Sequence, residues 1–208
     1  PASKDVWERF HDAVRWDSPR EMLRFGGLDN WIIDASDRSS KKAVGSLIKQ
    51  LNTCDKVVFQ APSLITNFKD SQERLIRALS DLMLTNKDVR FLGIVPPYST
   101  LKRALDLKCE PQKHNIFMSE INGLVKLSVQ VSNFTVHGFD NESFVTNLNN
   151  YKDTRHYSPY ISDQIVDLVL QGSNQVDEIN IKEYEAGIER NVRDLNIEEV
   201  KSHFERIL

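Results

Sequence analysis

The amino-acid sequence predicts a doubly wound α/β fold, namely a three-layer α/β/α sandwich with a mainly parallel sheet, followed by C-terminal helices. Short apolar runs of strand length alternate with amphipathic segments of helical length, which is typical of parallel strands joined by right-handed crossovers. The chain has 208 residues, 40% of them hydrophobic, which is enough for one sizeable core. We therefore expect an α/β domain over residues 1–172 and a helical extension over residues 173–208 that packs on the same domain.

Four apolar runs predict the strands of this sheet. Trp31-Ile32-Ile33 indicates one buried strand, and residues 56–60, which include Val57-Val58-Phe59, indicate a second. Residues 89–95 form the next strand, which Pro96-Pro97 stops, and residues 134–138 form the last. Strands are thus predicted along most of the chain, in alternation with helices.

Helices are predicted between and after these strands from their start signals and their apolar spacing. Ser18-Pro19-Arg20-Glu21 has the form of a capping box, and the helix that it starts ends at Gly26-Gly27. Asp70 with Glu73 starts another helix, and Ser158-Pro159 starts a third, which ends at Gly172. Further helices are predicted within residues 4–12, 39–51 and 116–131, and two amphipathic helices within residues 181–208.

Composition excludes several classes of partner. The net charge is −3, with 27 basic and 30 acidic residues spread evenly, so no basic stripe is available for nucleic acid. The apolar runs are too short for a membrane span.

Cys54 and Cys109 have neither metal-ligand spacing nor a Cys-x-x-Cys arrangement, so two buried thiols and one disulfide both remain open.

The most informative local pattern is a carboxylate three residues before an imidazole, Asp153 and His156, just ahead of a helix that starts at Ser158-Pro159. The positive end of a helix disfavours imidazolium, so we expect a neutral histidine that accepts a proton. The nearby carboxylate is placed to bond the other ring nitrogen and fix the tautomer. On spacing alone, a solvated loop histidine is the competing interpretation.

Loops at the carboxyl ends of parallel strands are the expected place for a ligand. The loops that qualify are residues 17–18, 35–39, 61–67, 96–99 and 140–156. The Asp153 and His156 pattern lies in the last of them. We therefore expect the other functional side chains to come from the remaining four.

Asp153-x-x-His156, just before a core helix, resembles the last conserved block of the SGNH (GDSL-type) hydrolase superfamily. The surrounding segment 147–158, NLNNYKDTRHYS, and Pro96-Pro97-Tyr98-Ser99 resemble bacterial SGNH-like proteins. Trp16-Asp17-Ser18-Pro19 is similar to the Gly-Asp-Ser motif of that superfamily, with Trp16 in place of glycine. The likeness is strongest over residues 89–170, where it is to bacterial SGNH-like proteins associated with cell-envelope polysaccharides.

The resemblance implies a serine mechanism. Ser18 is the nucleophile, His156 removes its proton, and Asp153 holds His156 in place. The superfamily supplies a glycine amide and an asparagine side chain to the oxyanion, but the sequence here is Asp34-Ala35-Ser36-Asp37-Arg38-Ser39 and Ala61-Pro62-Ser63-Leu64-Ile65-Thr66-Asn67. The candidates that remain for oxyanion or substrate contacts are Ser36, Ser39, Asn67 and Tyr98.

The function implied is that of a serine esterase or acyltransferase acting on acyl groups, above all O-acetyl groups, of a bacterial envelope carbohydrate. This chemistry needs no metal and no organic cofactor, so we expect neither. The envelope or periplasm is the implied location, with the cytoplasm left open. Ser18 also fits a plain helix cap. Because the glycine and asparagine blocks of the superfamily are degraded in this sequence, the alternative is a catalytically inactive SGNH-like binding or scaffold module in polysaccharide assembly. A ligand-binding flavodoxin-like domain is a weaker third interpretation, because no glycine-rich phosphate loop is present.

Overall fold

The computed structural model of the chain describes residues 28–31, 38–53 and 62–207. A short 3-10 turn at Leu28–Trp31 comes first, and two more, Ser143–Val145 and Leu148–Asn150, follow the second strand. The helices and strands of the described residues are α1 (Arg38–Thr53), α2 (Pro62–Thr85), β1 (Phe91–Val95), α3 (Thr100–Cys109), α4 (Pro111–Gln130), β2 (Phe134–Gly138), α5 (Pro159–Leu170), α6 (Ile181–Asp194) and α7 (Ile197–Ile207).

The two strands of the described residues pair in parallel. Phe91 lies opposite Phe134 and Val95 opposite Gly138, so both strands end at the same edge of the sheet. Helices α3 and α4 make the crossover between them, as a parallel pair requires. The described chain is thus mostly helical around a two-stranded parallel sheet, an arrangement compatible with the α/β class.

Three groups of buried side chains form the core of the described residues, and the C-terminal helices contribute to two of them. Tyr184 and Ile188 of α6 pack in one cluster with Val136 of β2. Phe204 of α7 packs in a second, where its ring centroid lies 5.5 Å from that of Trp31. The apolar stripes within residues 181–208 therefore pack against the rest of the chain.

Several sequence-based predictions agree with the structure. The strand over residues 134–138 and the helix that starts at Pro159 are confirmed, and the strand predicted from residue 89 begins at Phe91. Gly172, at φ +74°, follows that helix, where its left-handed backbone favours glycine. The predicted helices within residues 39–51, 116–131 and 181–208 correspond to α1, α4, α6 and α7.

Other predictions are wrong or fall outside the description. Trp31 lies in a 3-10 turn instead of a strand, and residues 62–67 belong to α2 instead of a loop. Helix α3 was not predicted at all. The strand at residues 56–60 and the helices at residues 4–12 and 18–27 lie outside the described residues.

No helix in the described part of the chain combines the length and the apolar character that a membrane crossing needs. Cys109, in α3, is disulfide-bonded. Of the two alternatives left open for the cysteines, the bonded state therefore holds for this residue. Cys54 lies outside the described residues.

Gly138 tests how tightly β2 packs against α6. An alanine Cβ there would lie 2.7 Å from Cε2 of Tyr184, whose hydroxyl is held by Asp140 at 3.0 Å, so the ring cannot yield easily. We expect Gly138→Ala to lower the free energy of unfolding by about 1–3 kcal/mol in urea titrations.

The matched control is Gly45→Ala in α1, where an added Cβ meets no atom within 4 Å. Alanine is the better helix former by about 1 kcal/mol, so this variant is expected to be unchanged or more stable. Equal losses in the two variants would contradict the packing described for Gly138.

Candidate active site

The loop that carries Asp153 and His156 is closed at its base by backbone pairing. Tyr151 and Tyr157 form an isolated antiparallel bridge, and the Lys152 amide donates to the His156 carbonyl at 3.0 Å. Tyr151 is fully buried, and its carbonyl accepts a hydrogen bond from the Trp31 indole at 2.9 Å. The loop is therefore anchored in the core at its base while its tip reaches solvent.

Asp153 and His156 meet as the sequence predicted. Oδ2 of Asp153 lies 2.6 Å from Nδ1 of His156. Oδ1 of the same carboxylate accepts the backbone amides of Arg155 at 2.8 Å and His156 at 2.9 Å. One carboxylate thus shapes the turn and orients the ring, which explains the spacing of three residues.

The position of the carboxylate determines the tautomer of the ring. A carboxylate only accepts hydrogen bonds, so Nδ1 of His156 carries the proton and Nε2 of the neutral ring has a free lone pair. About 65% of the His156 side chain and 46% of that of Asp153 are exposed. Within the described residues no hydrogen bond engages Nε2, and the ring is therefore able to accept a proton from a substrate or a nucleophile.

The loop after β1 is fastened to the loop of Asp153. Ser99 caps α3 by accepting the Lys102 amide at 3.3 Å, and its own hydroxyl donates to the Thr154 carbonyl at 2.8 Å. The Ser99 amide donates to the same carbonyl at 3.2 Å. The carboxyl end of β1 and the Asp153 loop therefore form one edge of the site.

A buried ion pair supports this edge from beneath. Nε of Arg103 donates to Oδ1 of Asp140 at 2.6 Å, and the two side chains are 3% and 0% exposed. Asp140 also accepts the Tyr98 amide at 3.1 Å and the Tyr184 hydroxyl at 3.0 Å. Since Tyr98 follows β1 and Asp140 follows β2, this carboxylate joins the ends of both strands. The pKa of Tyr184 is raised, mainly by burial and secondly by the negative charge of Asp140. The Tyr184 hydroxyl therefore keeps its proton and remains a hydrogen-bond donor.

Two cavities border the site. One of about 400 Å³, the Asp153 cavity, is lined by Asp153, Thr154 and Arg155 together with Trp31. The other, of about 510 Å³, is the Tyr98 cavity, which lies at the end of β1 and has an apolar wall that includes Phe117. Arg155 lines both cavities, and its guanidinium carbon lies 5.7 Å from the centre of the Tyr98 ring.

The other predicted site residues divide into three groups. Ser18 and Ser36 lie outside the described residues. Ser39 and Asn67 lie in helices α1 and α2 instead of loops at strand ends, and the description does not extend to their side chains. Tyr98 lies in the loop after β1, as predicted, and lines the cavity named after it. Ser158 occupies the cap position of α5, but its side chain makes no capping hydrogen bond.

Sequence reasoning missed the residues that support the site from within. Arg103 and Asp106 lie in the unpredicted helix α3, and charged side chains there would ordinarily be assigned to solvent. The position of Asp140 in the sequence could have indicated its role. It comes two residues after the strand predicted over residues 134–138, at the edge of a parallel sheet where ligands bind.

The hydrogen bonds of Asp153 predict an acid-range effect on stability. Burial raises the pKa of this carboxyl, but the amides of Arg155 and His156 and the His156 ring outweigh it, so the pKa lies below its ordinary 3.8. Stability from a depressed carboxyl pKa is present above the unfolded value and is lost as the pH falls through the folded one. We expect the stability advantage of wild type over Asp153→Asn to shrink between about pH 5 and pH 3 in urea titrations. An advantage that stays constant over this window would contradict the assigned bonds.

Comparison of the chain with models of protein families, with curated proteins and with solved structures finds no match.

Proposed function

We propose that the protein is an SGNH-like serine esterase or acyltransferase that acts on acyl groups, above all O-acetyl groups, of a bacterial envelope carbohydrate. The observation that carries the proposal is the 2.6 Å bond from Asp153 Oδ2 to His156 Nδ1 on an exposed loop beside a cavity. An oriented imidazole with a free Nε2 is the general base that acyl transfer from an ester needs. The proposal includes a three-layer sandwich in which further strands extend the parallel pair.

The chemistry follows from this pair and from the sequence motif around Ser18. His156 Nε2 takes the proton of the Ser18 hydroxyl while Ser18 Oγ attacks the ester carbonyl carbon. The tetrahedral intermediate collapses with cleavage of the bond to the sugar oxygen, which leaves with the proton returned by His156. The acyl group on Ser18 then passes to water, which is hydrolysis, or to another hydroxyl, which is transfer.

The helix that the sequence predicts to start at Ser18-Pro19 would supply donors to the oxyanion, because free backbone amides at a helix start favour a developing negative charge. Ser36 stays a candidate amide donor. Asn67 is omitted from the proposal because it lies inside α2. Tyr98 and Arg155 lie side by side at the cavity edge and are proposed to contact the substrate.

The disulfide state of Cys109 supports a location in the envelope or periplasm. Disulfides persist in oxidising compartments and are rare in the reducing cytosol. The charged side chains of the half-buried Lys152 and Asp153 and of the exposed Arg155 line the cavity and also suit a polar glycan better than an apolar ester.

Acetate release tests the proposal. The full chain is incubated with 4-nitrophenyl acetate and, separately, with an O-acetylated polysaccharide, and free acetate is measured. We expect release from both, faster from the polysaccharide at equal ester concentration. Binding of the polysaccharide without release of acetate from either compound would contradict the esterase and leave the binding module in its place.

A further inference from the structure

His114 is a buried histidine whose ring has no hydrogen-bond partner. It lies in the first turns of α4, is 5% exposed, and neither Nδ1 nor Nε2 has a hydrogen-bond partner within the described residues. The buried His137 ring differs, because its nitrogens lie 2.7 Å from the Ser173 carbonyl and 3.1 Å from the Thr135 hydroxyl. A buried polar group without a hydrogen bond is unfavourable, so the His114 ring is a candidate for binding a ligand.

Two carboxylates face this ring from α6. Glu185 and Glu189 are one helical turn apart and so lie on the same side of the helix. One ligand atom from each of His114, Glu185 and Glu189 lies within 4.8 Å of the others. The distance from His114 Nε2 to Glu185 Oε1 is 3.6 Å, too long for a hydrogen bond.

We propose that His114, Glu185 and Glu189 form a binding site for a divalent transition-metal cation, with Zn²⁺ as the preferred ion. Two ligands bound at about 2.0–2.2 Å around a tetrahedral zinc lie about 3.4 Å apart. The observed 3.6 Å is close to this value, so small side-chain movements complete the site. A direct hydrogen bond would instead place these atoms nearer to 3 Å.

The donor set fits zinc in charge and in type. Two carboxylates neutralise a dication, and an imidazole nitrogen favours zinc over the oxygen-preferring Mg²⁺. Glu189 is exposed, so the fourth position opens to water. The bound ion links α4 to α6, the helix whose Tyr184 holds Asp140, and involves none of the residues of the Asp153 loop. The site is therefore independent of the proposed ester chemistry.

Calorimetric titration of the full chain with ZnCl₂ at about pH 7, where imidazole is largely neutral, tests the site. We expect one equivalent bound, and a loss of affinity of at least about 10–100-fold in His114→Asn, Glu185→Gln and Glu189→Gln. Glu189 is exposed, so its variant keeps the fold even where the change at the buried His114 does not. Far-UV circular dichroism verifies the fold of each variant.

Two matched controls locate the site. Glu183→Gln changes an exposed carboxylate of the same helix outside the cluster, and His156→Ala removes the exposed imidazole paired with Asp153. Both are expected to bind zinc as wild type does, and Mg²⁺ is expected not to compete. Absence of zinc binding by wild type, unchanged affinity in Glu185→Gln and Glu189→Gln, or loss of binding in His156→Ala would each overturn the proposal.

Discussion

His156→Ala is expected to lower the turnover of acetyl esters by about 10²–10⁴-fold, the usual contribution of a positioned general base. The 2.6 Å bond from Asp153 holds Nδ1, so Nε2 is the atom that takes the proton. The effect should fall on kcat more than on KM, because the imidazole acts on the nucleophile. Steady-state kinetics with 4-nitrophenyl acetate measures both constants.

His203→Ala in α7 is the control, since this histidine lies outside the site, and it is expected to keep wild-type turnover. The turnover of Asp153→Asn should lie between that of His156→Ala and that of His203→Ala, because the His156 ring loses the acceptor that fixes its tautomer. Turnover that His156→Ala leaves intact would remove His156 from the mechanism, whatever the behaviour of Asp153→Asn.

Asp140→Ala is expected to reduce the free energy of unfolding by about 3–5 kcal/mol, because it leaves the buried charge of Arg103 without its closest partner. The Arg103 side chain is 3% exposed, and its bond to Asp140 is 2.6 Å long. The same substitution frees the Tyr98 amide and the Tyr184 hydroxyl, so the ends of both strands lose their common acceptor. Urea unfolding followed by circular dichroism measures the loss.

Two comparison variants separate the buried charge from the lost hydrogen bonds. Tyr184→Phe removes one bond to the carboxylate and is expected to cost about 1.5–3 kcal/mol. Arg103→Met combined with Asp140→Ala removes both charges and should be more stable than Asp140→Ala alone. A double variant that is less stable than the single one would contradict a cost dominated by an unpaired charge.

The parts of the fold that were predictable are those with local signals. Strand β2 has alternating and β-branched residues, and Ser158-Pro159 marks the start of α5 at the residue where the helix begins. The Asp153 and His156 pair was predictable for the same reason, because both partners lie on one short loop and the carboxylate also binds the backbone of that loop.

The parts that were missed depend on contacts between distant segments. Helix α3 buries three charged side chains, Lys102, Arg103 and Asp106, beside the apolar Leu101 and Leu105. With so many charged residues, the segment lacks the apolar spacing by which a buried helix is recognised in a sequence. Lys102 is paired with Asp106, and its pKa is lowered by burial, which the ion pair opposes. Trp31 is followed by apolar residues in the sequence, which suggested a strand. Its contacts in the structure are with Phe204 of α7 and with the Tyr151 carbonyl, and both residues are too distant in the sequence for a local pattern to indicate them.

Covalent labelling of the full chain with a fluorophosphonate, located by peptide mass spectrometry, tests directly whether Ser18 is a nucleophile activated by His156. We expect a label on Ser18 that depends on His156 and disappears in His156→Ala. An unlabelled chain, or a label on another residue that forms equally well without His156, would contradict this role of Ser18.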